Sequence, residues 1–259
     1  MVFTLYTKKK ELVMQRILSH LRRACDEYKL IEDGDKIAVG ISGGKDSLVL
    51  LKALANYQIF SPQKFSLVAI TIDMHAGKSD FSKIAKLCEE LNIEYHVVPS
   101  DIYEIVFVER KESNPCSLCA KLRRGMLNTK AIELGCNKLA LGHSADDVMH
   151  TFLLSMFYEG RLSTFLPKLY MDRTGMTVIR PLILTDEKDI KSVAKTLPVK
   201  ASSCPVDKHT KREYVKDLVK TIQKDIPFIQ ERIFSAITHP DRYNLFDRAY
   251  EDEIYWKKK

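Results

Sequence analysis

Residues 65–73, FSLVAITID, are apolar at nearly every position, and this run constrains the fold more than any other feature of the 259-residue chain. A strand with one wet face alternates apolar and polar side chains. A strand that does not alternate is buried on both faces, as in a parallel sheet covered by helices. KIAVGI (36–41), EYHVVP (94–99) and NKLALGH (137–143) read as companion strands, the first entered through the Asp-Gly turn at Asp33–Gly34.

Between them lie helical patterns. LVLLKALANY (48–57), SDFSKIAKLCEELN (79–92, with Ser79 as N-cap candidate), SLCAKLRRGMLNTKAIELG (117–135, ending on Gly135) and ADDVMHTFLLSMFY (145–158) are spaced for βαβ units. An amphipathic helix over 8–30 precedes them. After Pro181 come a helix in TDEKDIKSVAKTL, an irregular PVKASSCPVD, and two helices over 208–236 broken at Pro227; 101–115 is less regular. The expected fold is α/β, a doubly wound parallel sheet with helical additions at both ends. The corresponding division is 1–30 helical segment, 31–200 central domain, 201–259 helical tail.

Composition is that of a soluble globular chain, with 45% apolar and 29% charged residues. No stretch approaches the roughly 20 apolar residues needed to cross a bilayer, and the N-terminus lacks the order of a secretory signal, so the expectation is a cytoplasmic protein without membrane contact. The net charge of +7 is partly clustered, at Lys8–Lys10, Arg22–Arg23, Lys121–Arg124, Lys208–Arg212 and Lys257–Lys259. Such clusters suit a polyanion, and they also suit solvated helix faces.

Ligands in doubly wound sheets bind beyond the carboxyl ends of strands. That edge collects SGGKDS (Ser42–Ser47), the loop opening at Asp73, and GHSADD (Gly142–Asp147). SGGKDS is shorter than the Walker loop, but Gly43 and Gly44 let backbone N–H groups approach an anion at a helix N-terminus. Ser42, Lys45 and Ser47 can donate to phosphate oxygens, and Asp46 calls for a metal partner such as Mg2+. In GHSADD, His143, Asp146 and Asp147 stand beside the nucleotide edge, where carboxylates could hold Mg2+ or orient a reacting group. Ser144 with Asp147 also fits a helix-capping pair.

Of six cysteines, Cys25, Cys88 and Cys136 read as small core residues. Cys116 and Cys119 form a CxxC at a helix start, with Cys204 downstream followed by Asp207. A redox pair, half a zinc site and part of an iron–sulfur site all fit one CxxC. Three thiolates would leave one iron of a 4Fe–4S cluster open.

SGGKDS between that strand and that helix resembles the pyrophosphatase loop of the PP-loop ATP pyrophosphatase superfamily. With CSLCAKLRRG, ALGHSADD, MFYEG…PKL and IRPLI…EKDI in order over roughly residues 8–215, the chain resembles its tRNA thiolation branch, in particular the tRNA 2-thiocytidine synthetases. The resemblance implies an adenine nucleotide α-hydrolase-like fold and an enzyme that cleaves ATP to AMP and pyrophosphate. It would adenylate the C2 oxygen of a pyrimidine in tRNA and replace that oxygen with sulfur. It implies that Ser42, Gly43, Gly44, Lys45, Asp46 and Ser47 hold the phosphates, that Asp73 to Ala76 line the adenine pocket, and that Gly142 and His143 border the nucleotide. Cys116, Cys119 and Cys204 would hold a 4Fe–4S cluster. Lys45, Arg123 and Asp146 are the expected catalytic residues, with Lys121 near the base or phosphate. ATP, Mg2+, tRNA, a sulfur donor (sulfide or a cysteine desulfurase) and a homodimer complete the expectation. The family's downstream cysteine belongs to a second CxxC, where this chain has Asp207. A 2-thiouridine-forming relative and a cluster-free PP-loop ligase with structural zinc are the alternatives.

Overall fold

A computed structural model describes residues 2–110, 115–201, 211–243 and 245, of which 2–10 by backbone alone. Six strands form one sheet in the order β3-β2-β1-β4-β6-β5. They are β1 (Lys36–Gly40), β2 (Ser66–Asp73), β3 (Glu94–Pro99), β4 (Lys138–Ala140), β5 (Lys168–Met171) and β6 (Met176–Ile179). All neighbours are parallel except β5, which runs antiparallel to β6. The doubly wound parallel sheet expected from the sequence is thus present, with one antiparallel strand added at its edge. Residues 168–179 form a hairpin whose turn takes Gly175 to φ 66°.

The unbroken apolar strands are buried on both faces. Along β2, Leu67 and Ala69 enter one core and Val68 and Ile70 the other; Ile37, Val39 and Ala38 of β1 divide likewise. The larger core is closed by α1 (Val2–Tyr28), α2 (Lys45–Phe60), α3 (Ser82–Glu90) and α6 (Glu187–Ala194). α4 (Pro115–Glu133) covers the other face through Leu127 and Ala131. α5 (Ala145–Glu159) meets α7 (Lys211–Asp225) and α8 (Ile229–Thr238) in a satellite core around Met149, Leu153, Val215 and Val219.

α1 begins well before the position expected from periodicity and is no appendage. Ile17, Leu21 and Ala24 are fully buried in the main core. Arg16 reaches Asp189 of α6 through two hydrogen bonds of 2.6 Å. The Ser79 cap is overturned: α3 begins at Ser82 after Phe81, and no side-chain hydrogen bond is made at that cap. The Asp80 carboxylate instead accepts from the Ser82 N–H at 2.8 Å, and the Ser79 N–H goes back to Asp73 at 3.2 Å. The irregular stretch contains a wide helical turn at Glu104–Glu109. Gly135 ends α4 at φ 71°, and α7 and α8 part around Pro227, with Phe228 at φ 66°.

Beneath the sheet's opposite end, Lys138 is 3% exposed and Asp35 4%. The ammonium meets Asp35 at 2.7 Å, Glu32 at 2.6 Å and the Leu30 carbonyl at 3.0 Å, which uses all three of its N–H groups.

Candidate active site

β1 lies between β2 and β4, and the chain winds outward from it in both directions, so the crevice between the C-terminal ends of β1 and β4 is the topological switch point. Ser42–Ser47 leaves β1 there and Gly142–Asp147 leaves β4. The two turns touch. A Cβ on Gly142 would stand 2.9 Å from both the carbonyl carbon and the oxygen of Asp46.

Within the loop, Gly43 turns at φ 80° and its carbonyl accepts from the Lys200 N–H at 2.9 Å. The Ser47 hydroxyl accepts from the Ser42 N–H at 3.2 Å and donates to the Gly44 carbonyl at 3.0 Å, which folds the loop over the start of α2. Gly44 is the N-cap, and with no side chain it leaves the first N–H groups of α2 to an incoming acceptor. Lys45 lies 2.9 Å from Asp46 and 3.1 Å from Glu187. Burial opposes its charge, but these two carboxylates outweigh burial and raise its pKa.

A cleft of about 350 Å³ is lined by Ser42, Asp46, Ser47, Arg123, His143 and Asp147, among others. A second lobe of about 280 Å³ continues past Asp73, Met74 and His75 to Ala201, with Ser42 and Arg123 bordering both. Asp73 is 1% exposed and shapes this lobe from below. Burial opposes its charge, yet hydrogen bonds from Ser79, His75 and Gly77 hold the carboxyl below its usual range. Those bonds stabilise the tight turn in which Ala76 and Gly77 take φ 53° and 83°.

α4 delivers the thiols. Cys116, Cys119 or Ala120, Arg123 and Leu127 succeed one another on one helical stripe, which runs from the cleft mouth to the core. Cys116 is exposed and Cys119 half-buried, its Sγ 3.6 Å from Met74 Sδ in the second lobe. Cys204 and Asp207 lie outside the described residues. Ala201, three positions before Cys204, lines the second lobe. Lys121 faces away, onto a groove beside β3.

The acidic pair divides. Asp147 lines the main cleft and forms the capping box with Ser144. Its free oxygen accepts from Arg212 of α7 at 3.3 Å. Asp146 faces the far side, toward His20 and Phe234, and accepts from the Glu187 N–H at 2.6 Å. Burial raises its pKa, and its bond to the Glu187 N–H ties the start of α6 to α5. Asp46 is also raised by burial, and its neighbours Asp147 and Glu187 add to this against the pull of Lys45. A carboxylate whose charge is opposed by burial and by a neighbouring carboxylate, beside a phosphate-type loop, is a donor that a divalent cation relieves.

Glu187 and Arg180 do not stand out in the sequence, and Arg212 does so only as the end of the basic cluster Lys208–Arg212. Glu187 sits in EKDI and Arg180 in IRPLI, within quoted strings, but their partners lie far along the chain. Burial works against the charge of Glu187, while Lys191, Lys45 and Lys216 outweigh it and hold the carboxyl down to about 2. A depressed carboxylate contributes stability that is present above its unfolded pKa and lost as pH falls toward the folded one. Glu187→Gln is therefore expected to destabilise the fold by about 2 kcal/mol at neutral pH, with the difference closing between roughly pH 5 and pH 2. Denaturation of both proteins across that range checks it; a gap that persists at the lowest pH counts against it.

The PP-loop domain family matches residues 13–232. A tRNA-cytidine(32) 2-sulfurtransferase from Geobacter metallireducens is 37% identical over 242 residues, 92% of this chain and 94% of that protein. One from Serratia proteamaculans is 38% identical, covering 93% and 82%. Among solved structures, the U34-tRNA thiolase NcsA from Methanococcus maripaludis, with its 4Fe–4S cluster, superposes with a TM-score of 0.70 at 27% identity, covering 92% of this chain and 82% of that one.

Proposed function

The chain belongs to the PP-loop family, and from that premise we propose that it is an ATP-dependent tRNA sulfurtransferase that converts a cytidine of tRNA, at the position named for its relatives, to 2-thiocytidine. The observation that carries this reading is the shared cleft. The phosphate-type loop borders both lobes of the cavity through Ser42, and α4, which starts with the CxxC, borders both through Arg123.

The residues divide the work. The bare N-terminus of α2, with Ser42, Ser47 and Lys45, receives the triphosphate; Asp46 and Asp147 are the carboxylates that would hold Mg2+ against it. The second lobe, shaped by Asp73, takes the adenine. The C2 oxygen of the pyrimidine attacks the α-phosphorus, and pyrophosphate leaves with its charge met by Lys45. Sulfur then takes the place of the adenylated oxygen and AMP departs. Arg123, one turn beyond Cys119, stands where it can meet the phosphate of that adenylate.

The donor set fits an iron–sulfur cluster: two thiols at CxxC spacing begin α4, Cys119 in contact with Met74 of the second lobe, and Ala201 lines that lobe three residues, at most about 10 Å of extended chain, before Cys204. Cys116, Cys119 and Cys204 would hold it. When bound, a 4Fe–4S cluster with one open iron supplies a place for sulfide and the sulfur nucleophile. Sulfide or a desulfurase is the donor in this reading, and the enzyme acts as a homodimer. No helix among the described residues is long and apolar enough to cross a membrane.

The test is turnover by anaerobically purified protein with ATP, Mg2+, sulfide and a tRNA transcript, followed by nucleoside mass spectrometry. AMP release that depends on tRNA, together with 2-thiocytidine, is expected. Appearance of 2-thiouridine instead would move the chain to the uridine branch. AMP release without thiolation, by a protein that holds zinc and no iron, would favour the ligase.

A further inference from the structure

Arg180 follows β6 by one residue and is 6% exposed. Its Nε donates to Nδ1 of His143 at 3.2 Å, and a terminal nitrogen donates to the Leu166 carbonyl at 2.5 Å. Its guanidinium carbon lies 4.9 Å from the centre of the Phe165 ring, and that ring packs against His143 at 4.7 Å. The imidazole is therefore gripped on one face and along one edge. His143 also lines the cleft, beside Gly142 and Asp147.

A guanidinium has donors only. The Nδ1 of His143 must then accept, and a neutral ring that accepts through Nδ1 carries its proton on Nε2. We propose that Arg180 is a positioning residue: it locks His143 as the Nε2–H tautomer, so that the ring presents a fixed hydrogen-bond donor to an oxygen of the bound substrate. This rests on the sulfurtransferase reading for the identity of that oxygen, which belongs either to the α-phosphate or to the pyrimidine carbonyl.

The surroundings keep the ring neutral. Burial, followed by Arg180, outweighs Asp147 and brings the His143 pKa down to about 4. Arg212 and Arg124 also face it and act in the same direction. Neutrality has a chemical use. An imidazolium would draw electron density more strongly from the very oxygen that must attack phosphorus. A neutral N–H orients that oxygen, or stabilises charge growing on a phosphate oxygen, without quenching it. The guanidinium itself is held down to about 10 by burial and by Arg124, so its hydrogen bond to the ring offsets part of an otherwise uncompensated desolvation.

The experiment is 15N–1H correlation of the imidazole resonances in full-length, histidine-labelled protein, assigned by comparison with His143→Gln. The wild type is expected to show His143 as a neutral Nε2–H ring, and Arg180→Met a mixture of tautomers. In activity, glutamine places an amide nitrogen near the Nε2 position, so His143→Gln should retain AMP formation within about fivefold, whereas His143→Ala and His143→Asn should lose about a hundredfold. A loss read in ATP affinity assigns the bond to the phosphate; a loss read in KM for tRNA assigns it to the base. The tautomer is read without turnover, so it stands or falls separately from the thiolation reading. An Nδ1–H ring in the wild type overturns the proposal. So does a folded His143→Gln protein that is as inactive as His143→Ala.

Discussion

Replacing Gly142 with alanine is expected to weaken ATP binding by about a hundredfold and to destabilise the fold by about 1–3 kcal/mol, the usual penalty for overpacking. The added methyl would sit 2.9 Å from the Asp46 carbonyl carbon and oxygen and 3.1 Å from the Ser47 nitrogen. All three are backbone atoms at the first turn of α2, and none can rotate aside. Relief requires the turn after β4 or the N-terminus of α2 to retreat, and the second of these is the phosphate site. Gly142 is not at positive φ, so the effect comes from contact and not from backbone strain. Gly125 makes the control. It lies inside α4, and a Cβ there meets nothing within 4 Å; Gly125→Ala should gain about 0.5–1 kcal/mol. Calorimetric ATP titration and chemical denaturation of both variants decide the matter. Unchanged ATP affinity in Gly142→Ala would show that the two turns are not rigidly coupled.

The second large effect lies at the other end of the sheet. Lys138→Ala is expected to cost about 3–5 kcal/mol, because it leaves a buried carboxylate without its counter-ion. Asp35 would keep the Glu32 N–H at 2.6 Å and the Asn137 amide at 2.7 Å, but would lose the ammonium it pairs with at 2.7 Å. The paired replacement Lys138→Met with Asp35→Asn should recover most of the loss, since the burial of an ion pair is itself expensive. Urea denaturation measures both. A single-variant loss below about 1 kcal/mol would mean that water reaches the pair, as at exposed ion pairs.

The central strands of this fold were legible in the sequence because their side chains are buried on both faces, so the pattern is local. β1, β2 and β4 announced themselves as unbroken apolar runs, and the two motif loops followed because each leaves such a strand. The β5–β6 hairpin did not. Leu169 and Tyr170 remain 42% and 59% exposed, so half of β5 shows no burial signal, and its pairing runs against the rest of the sheet. Ser79 failed as a cap because Asp73 claims its N–H from within the core, a competition invisible along the chain. The site divides the same way. SGGKDS and GHSADD could be placed together from topology. Which member of the acidic pair faces the cleft could not, because helical phase and the docking of α6 decide it. Arg180 joins His143 across 37 positions and Arg212 joins Asp147 across 65. Those contacts exist only once the sheet has assembled.

The same distance has a temporal side. Arg16 and Asp189 are 173 positions apart, and α1 shares its core with α6. At ordinary synthesis rates of about 5–20 residues per second, α1 leaves the ribosome roughly 10–35 s before its partner exists. Throughout that interval the stripe of Ile17, Leu21 and Ala24 can be covered only on the side that meets α2. The newborn chain, more than the finished enzyme, is the species that needs a chaperone's protection.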